Sequence, residues 1–232
     1  MDKMATAIKA SPSQLRDEER LRRALTSALG GQGTLIADRI IRGEAISYAE
    51  AELVFAKVIE PNLTAAMGRQ MRQVTQGAGL DLEATVINQD AANWAQSYTY
   101  DLIRGVGDQP GLVTTTRDMV SRAMNAYVTT PGMTRRDLEG LLSPAFGPSR
   151  AQAIAVTEVT RAYSEATNAA QSRLQDAGIQ MQRVWYTEND ELVDLVICAP
   201  LNGQPESVWR TRFPGGPPGH PGCRCIVTLL NA

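Results

Sequence analysis

Apolar residues recur at helical spacing through most of the first 177 positions, then switch to shorter, alternating runs. Leu15, Leu21, Leu25, Ala28 and Leu29 fall mostly on one helical face. Ser11 with Gln14 gives that helix a capping-box start, with Pro12 at its first position, and Gly30-Gly31 marks its expected end. Ser47 with Glu50 starts a second helix, expected to break or kink at Pro61. Helical stretches follow over roughly 81–104, with Val86, Ile87, Trp94 and Tyr98, and over roughly 115–128, with Met119, Val120, Ala123, Met124 and Tyr127. Thr134 with Asp137 starts a short helix carrying Leu138, Leu141 and Leu142. Ser149 with Gln152 starts a long one that reaches about Ala177, where Gly178 ends it. The segment Gly105 to Gly111 (GVGDQPG) is the best candidate for an internal boundary, and Thr129 to Met133 is a second break.

After Gly178 the pattern reads as β structure. Met181–Thr187 (MQRVWYT) alternates and is rich in strand formers. Leu192–Ile197, Ser207–Phe213 and Cys225–Leu230 are three further expected strands, with Asn202-Gly203 as a turn. The predicted class is α+β, mostly α: a helical body followed by a small antiparallel β-rich C-terminal module.

Composition adds limits. The chain has 232 residues, 43% hydrophobic and 21% charged, as in an ordinary globular protein and unlike a disordered one. The formal net charge of −2 gives no global basic field for nucleic acid. No run approaches the roughly 18–20 apolar residues of a membrane span, so no membrane partner is expected. The N-terminus lacks the apolar core of a secretory signal, so synthesis in the cytoplasm is expected. Three cysteines do not suit a disulfide framework; reduced thiols or metal-bound thiolates fit better.

Candidate chemistry concentrates near the C-terminus. Cys198, His220, Cys223 and Cys225 are ligands of the kind a structural zinc takes, with Asp194 as a candidate oxygen ligand. Both members of Cys-x-Cys must turn inward, which a strand forbids and a sharp loop allows. Ordinary zinc modules carry Cys-x2-Cys on both knuckles; here the first has Cys198 alone. The alternative, which the incomplete spacing favours, is a tight loop with small half-buried thiols and a hydrogen-bonded histidine. A Cys–His nucleophilic pair lacks an orienting group and an oxyanion hole by pattern. Glu188, Asp190 and Glu191 read as a solvated turn rather than an acid–base or Mg²⁺ site. Glu158, Arg161 and Glu165 share a helical face, either as a surface ion ladder or with Thr157 and Glu158 fastening the helix to the C-terminal module. Arg210, Arg212 and Arg224 form a local basic cluster whose plain reading is solvated arginines. No nucleotide loop, H-E-x-x-H or G-x-S-x-G motif is present.

The order of motifs resembles the phage Mu F-like minor head protein (head morphogenesis) family. It runs from R-A-x-x-I-A-x-T-E (Arg150–Glu158) through W-x-T-x-x-D-x-x-V (Trp185, Thr187, Asp190, Val193) and C-A-P-L-N-G (Cys198–Gly203) to P-P-G-H-P-G-C-R-C (Pro217–Cys225). The resemblance covers roughly Gly111 to Val227. It implies a head-morphogenesis domain over 111–232, with helices over 115–177 and the β module over 181–230, preceded by an N-terminal helical region over 1–110. Members often carry C-x-x-C before P-L-x-G; here Asp194 or Leu195 stands near the earlier cysteine's place.

The resemblance implies a non-enzymatic minor capsid protein of the virion, made in the host cytoplasm and placed in the capsid interior or at the portal vertex. Its expected partners are the portal protein and major capsid protein, with packaged DNA as a further candidate and no small-molecule substrate. Structural zinc is the one candidate cofactor. The alternative is a small metal-dependent hydrolase, a nuclease or peptidase, using the C-terminal Cys/His cluster.

Overall fold

A computed structural model describes residues 11–188 and 190–231. It is mostly helical with a small antiparallel sheet near the C-terminus, as the α+β pattern predicts. Four long helices, α1 (Pro12–Arg42), α2 (Ala49–Gly77), α3 (Ala84–Arg104) and α6 (Pro148–Asp176), accompany two shorter ones, α4 (Leu112–Thr129) and α5 (Arg135–Phe146). A hairpin of two-residue strands, β1 (Gly105–Val106) and β2 (Gln109–Pro110), occupies the expected internal break. The C-terminal sheet has the order β4-β3-β5, with β3 (Met181–Tyr186) between β4 (Gln204–Pro205) and β5 (Ile226–Asn231). A four-residue helix, α7, spans Glu206–Trp209.

The chain forms two compact units, each assembled from separate segments. One holds residues 11–19, 62–95 and 153–231; the other holds 20–61 and 96–152. The Gly105–Gly111 break therefore lies inside the second unit, and the compact units do not follow a division at residue 110.

Two helices run through residues expected to stop or bend them. α1 continues past Gly30-Gly31 because its apolar stripe continues: Leu21, Leu25, Leu29, Ile36 and Ala37 are all buried. Each mid-helix glycine costs up to about 1 kcal/mol against alanine, a debt that burial at five positions exceeds. Gly33 has a packing reason, since a Cβ there would lie 2.9 Å from Cβ of Phe146 on α5. α2 continues past Pro61 for the same reason, with Phe55 and Ile59 buried before it and Leu63, Ala66, Met67 and Met71 after it.

Caps behave unevenly. Thr134 and Asp137 form the predicted capping box at α5. Ser149 does not start α6, which begins at Pro148, with Gly147 accepting from the Ala151 N–H. Gly178 (φ +81°) ends α6 in the left-handed region, as predicted.

In the second unit the half-buried Arg150 ties three pieces together. Its guanidinium donates to Ala145 O (2.8 Å), Thr116 Oγ1 (2.9 Å), Thr115 Oγ1 (3.0 Å) and Leu112 O (3.2 Å). Burial pulls its pKa below the usual arginine value.

In the first unit, the opening turns of α1 are held by polar contacts. Asp17 takes a two-pronged ion pair from Arg69 of α2 and a hydrogen bond from the Tyr163 hydroxyl of α6 (3.1 Å). Arg173 of α6 grips Asp90 of α3 through contacts of 2.8 and 3.1 Å.

Candidate metal centre

The C-terminal module is built on β3. Trp185 is fully buried beside Trp209 (ring centroids 5.6 Å apart, edge-on) and Phe213 (5.4 Å). Cys198, Cys223, Cys225 and Val227 share the same buried cluster. Arg183, on the same strand, pairs with Glu206 and Asn168 and lies 5.2 Å over the Trp209 ring.

Two expected strands are absent from this module. Leu192–Ile197 folds as turns because Asp194 organises its own backbone: Oδ1 accepts from the N–H groups of Ile197 (2.7 Å) and Val196 (2.8 Å). The Asp194 carbonyl accepts from Cys198 N–H (2.9 Å), which brings the Cys198 thiol inward at the start of the 3-10 turn Ala199–Leu201. Those N–H donors hold the Asp194 carboxyl below the usual carboxylate range. Its charge serves the turn, so Asp194 is not brought in as an oxygen ligand. Ser207–Phe213 is the end of α7 and a turn, because burying Trp209 takes one helical turn and its indole N–H caps Gln204 O (3.1 Å).

The structure brings three of the four candidate ligands together. Cys198 Sγ and Cys223 Sγ are 3.7 Å apart. A ring nitrogen of His220 joins them, all three ligand atoms lying within 4.8 Å of one another. Two thiolates about 2.3 Å from a tetrahedral zinc stand about 3.8 Å apart, so the sulfur spacing fits. Cys225 is buried in the same cluster but is not among the three residues whose ligand atoms lie within 4.8 Å of one another. Cys-x-Cys points both sulfurs inward because residues 221–225 form a loop turning at Gly222 (φ +78°), and β5 starts only at Ile226. The loop is anchored from outside: Gly222 N–H donates to Thr157 Oγ1 of α6 (2.7 Å), the fastening proposed for that helix.

His220 is set in a ligand-ready form. Its Nδ1 lies 2.9 Å from Pro221 O, an acceptor, so the proton belongs on Nδ1. Nε2 then carries the free lone pair, and it is buried without a hydrogen-bond partner among the described residues. An orphaned imidazole nitrogen whose other nitrogen donates to a carbonyl is the usual arrangement of a metal-binding histidine.

The three thiols share protons. The neighbouring thiols pull the Cys223 pKa down, and the same interactions, together with burial, push Cys198 and Cys225 up. The group thus holds one negative charge readily and resists more. A divalent cation would remove that resistance, since coordinated thiols lose their protons outright.

Other residues singled out in the sequence take structural roles. Arg224 does not form a basic cluster with Arg210 and Arg212. It is half-buried and bridges Glu18 of α1 (2.9 Å) to Asp190 (2.8 Å). Arg210 lies 3.5 Å from Glu206, and Arg212 stacks 5.1 Å over Phe213. Glu158 is buried rather than on a solvated face. Asp190 is engaged by Arg224 rather than solvated, and its carboxylate also accepts from Leu192 N–H (3.0 Å). Glu18 was not foreseen. It lies 206 positions from its arginine, and no local pattern could mark it.

No family model matches the chain, nor does any curated protein or solved structure.

Proposed function

We propose that this chain is a non-enzymatic minor head protein of the phage Mu F-like type, and that its C-terminal module is closed by a structural zinc ion. Cys198, His220, Cys223 and Cys225 hold the ion. One observation carries the reading: the residues of the family-like signature are engaged in holding the module together. Trp185 forms its core, Asn202 Oδ1 accepts the Thr187 N–H (3.0 Å), Asp190 and Arg224 pair, and Cys198, His220 and Cys223 converge. With Cys225 as the fourth ligand, the protein would fill a tetrahedral zinc site and leave no place for the water that a hydrolase must activate. The partners are the portal and major capsid proteins, with packaged DNA near by, and the location is the capsid interior or portal vertex.

Quantitative mass spectrometry of purified heads tests this. The chain is expected in a few copies per head, retained with the portal after the shell is disrupted. Absence from heads overturns the assignment. A nuclease or peptidase activity lost in a folded His220→Ala variant would replace it with the hydrolase reading.

A further inference from the structure

The first compact unit contains an open cleft of about 370 Å³, separate from the Cys/His cluster. Its floor is unusual. Ile226, Val227, Thr228 and Leu229, four consecutive residues of β5, all line it. Successive strand side chains point to opposite faces, so a sheet face would contribute only alternate residues. The cleft therefore opens on the edge of β5. That edge is free among the described residues: β5 pairs only with β3, and the sheet ends there. In an antiparallel strand every second residue turns its N–H and C=O away from its partner, so the cleft is floored by backbone donors and acceptors.

The walls fit a particular class of occupant. They come from α1, α2 and α6, with Met181 of β3, and carry amides and hydroxyls, among them Gln70, Gln73 and Thr167, with no charged side chain among the described residues. Gln14 and Ser164 also line the cleft; each is at most 2% exposed. Among the described residues, Gln14 Oε1 and Ser164 Oγ have no hydrogen-bond partner. Leaving such groups unpaired costs roughly 1–3 kcal/mol each, a cost removed by a ligand that donates to them. A charged ligand finds no counter-charge here, and a purely apolar one leaves these groups and the strand edge unsatisfied.

We propose that this cleft is a strand-addition site. It binds an extended, uncharged segment of another protein, about four residues long or roughly 14 Å, as an additional strand on the open edge of β5. Main-chain hydrogen bonds to β5 supply affinity. Small polar or β-branched side chains meet Gln14, Ser164 and the α2 glutamines. The site does not depend on the metal proposal, since none of the four candidate ligands lines it.

The test uses the full chain and a yeast-displayed library of randomised heptapeptides. Gly77, at the end of α2, lines the cleft, and a Cβ there meets no atom within 4 Å. Gly77→Trp should therefore crowd the cleft without a clash at its Cβ. Gly140→Trp, at an equally open helical position outside the cleft, is the control. Selection should enrich uncharged, β-prone sequences that bind one per chain and slow amide exchange at residues 226–229. Binding should weaken about ten-fold or more in Gly77→Trp, the loss of roughly 1.4 kcal/mol, and stay unchanged in Gly140→Trp. Three results overturn the proposal: no enrichment, equal binding by Gly77→Trp, or charged consensus sequences. Concentration-dependent dimerisation that protects 226–229 without peptide also overturns it, in favour of edge pairing between copies.

Discussion

Removing Arg224 should leave a buried carboxylate without its counter-charge, and the cost should depend on pH in a specific direction. The Glu18 side chain is 5% exposed and Arg224 19%. Burial pushes the Glu18 carboxyl up to about 7 even though Arg224 pulls it down. A rise from 4.5 to about 7 corresponds to about 3 kcal/mol favouring the protonated form in the folded state. Between those pH values the folded chain binds more protons than the unfolded chain. This group's stabilisation is therefore complete below about pH 4.5 and is lost as pH rises through 7. With Arg224→Ala, an ionised Glu18 loses its counter-charge and keeps only the long contact from the Gln14 amide (3.4 Å), and breaking a buried pair costs about 3–5 kcal/mol. The expected loss at pH 8 is about 3 kcal/mol. At pH 5.5 Glu18 is mostly neutral and only the more exposed Asp190 pair is lost, so the cost falls to about 1 kcal/mol. Urea unfolding of zinc-saturated wild type, Arg224→Ala, Glu18→Gln and the double variant at both pH values measures this. Glu18→Gln should also flatten the wild-type decline between pH 5 and 8. Equal losses at both pH values, or an undiminished Arg224→Ala penalty in the Glu18→Gln background, would refute the reasoning.

Other outcomes follow from single contacts. Thr157→Val removes the acceptor for Gly222 N–H and should cost about 1 kcal/mol by urea unfolding while preserving α6 helicity by circular dichroism. Trp209→Ala, at a position 1% exposed and edge-on to Trp185, should cost about 3–5 kcal/mol and abolish the near-ultraviolet circular dichroism of the aromatic cluster. Two alanine substitutions in α1 should act oppositely in thermal melts. Gly31→Ala meets open space and should stabilise by about 0.5–1 kcal/mol; Gly33→Ala presses on Phe146 and should destabilise by about 1–3 kcal/mol. If Gly31→Ala destabilises, the helix does not continue through the glycines.

The helices were legible wherever a local signal and the apolar stripe agreed. The Thr134/Asp137 box and the Gly178 stop are short-range chemistry, and both stand where the pattern puts them. At Gly30-Gly31 and Pro61 the local breakers disagreed with the stripe, and the stripe prevailed because buried side chains outweigh one or two unfavourable backbone positions. In the C-terminal module the β-prone run Leu192–Ile197 lost to the Asp194 turn. Ser207–Phe213 lost to the burial of Trp209, a tertiary demand that alternation does not encode. The four candidate ligands were visible as residue types. The convergence of Cys198, His220 and Cys223 was not, because the inward turn of Cys198 depends on the Asp194 turn, and the Cys223–Cys225 loop hangs from Thr157, 65 positions upstream of Gly222. Arg224 looked like a surface cation because its partner lies at the far end of the chain.

The zinc content of the intact protein tests the central proposal most directly. Native mass spectrometry of chain purified without chelator should give one zinc per chain in wild type. Loss of zinc is expected in Cys223→Ser, and zinc should be displaced stoichiometrically when the thiols are titrated with a mercurial. Melting should fall on chelation and recover with added zinc. A metal-free wild type whose melting temperature is indifferent to added zinc would contradict the zinc clasp and leave the Cys198, His220, Cys223 and Cys225 loop as a thiol-lined structural turn.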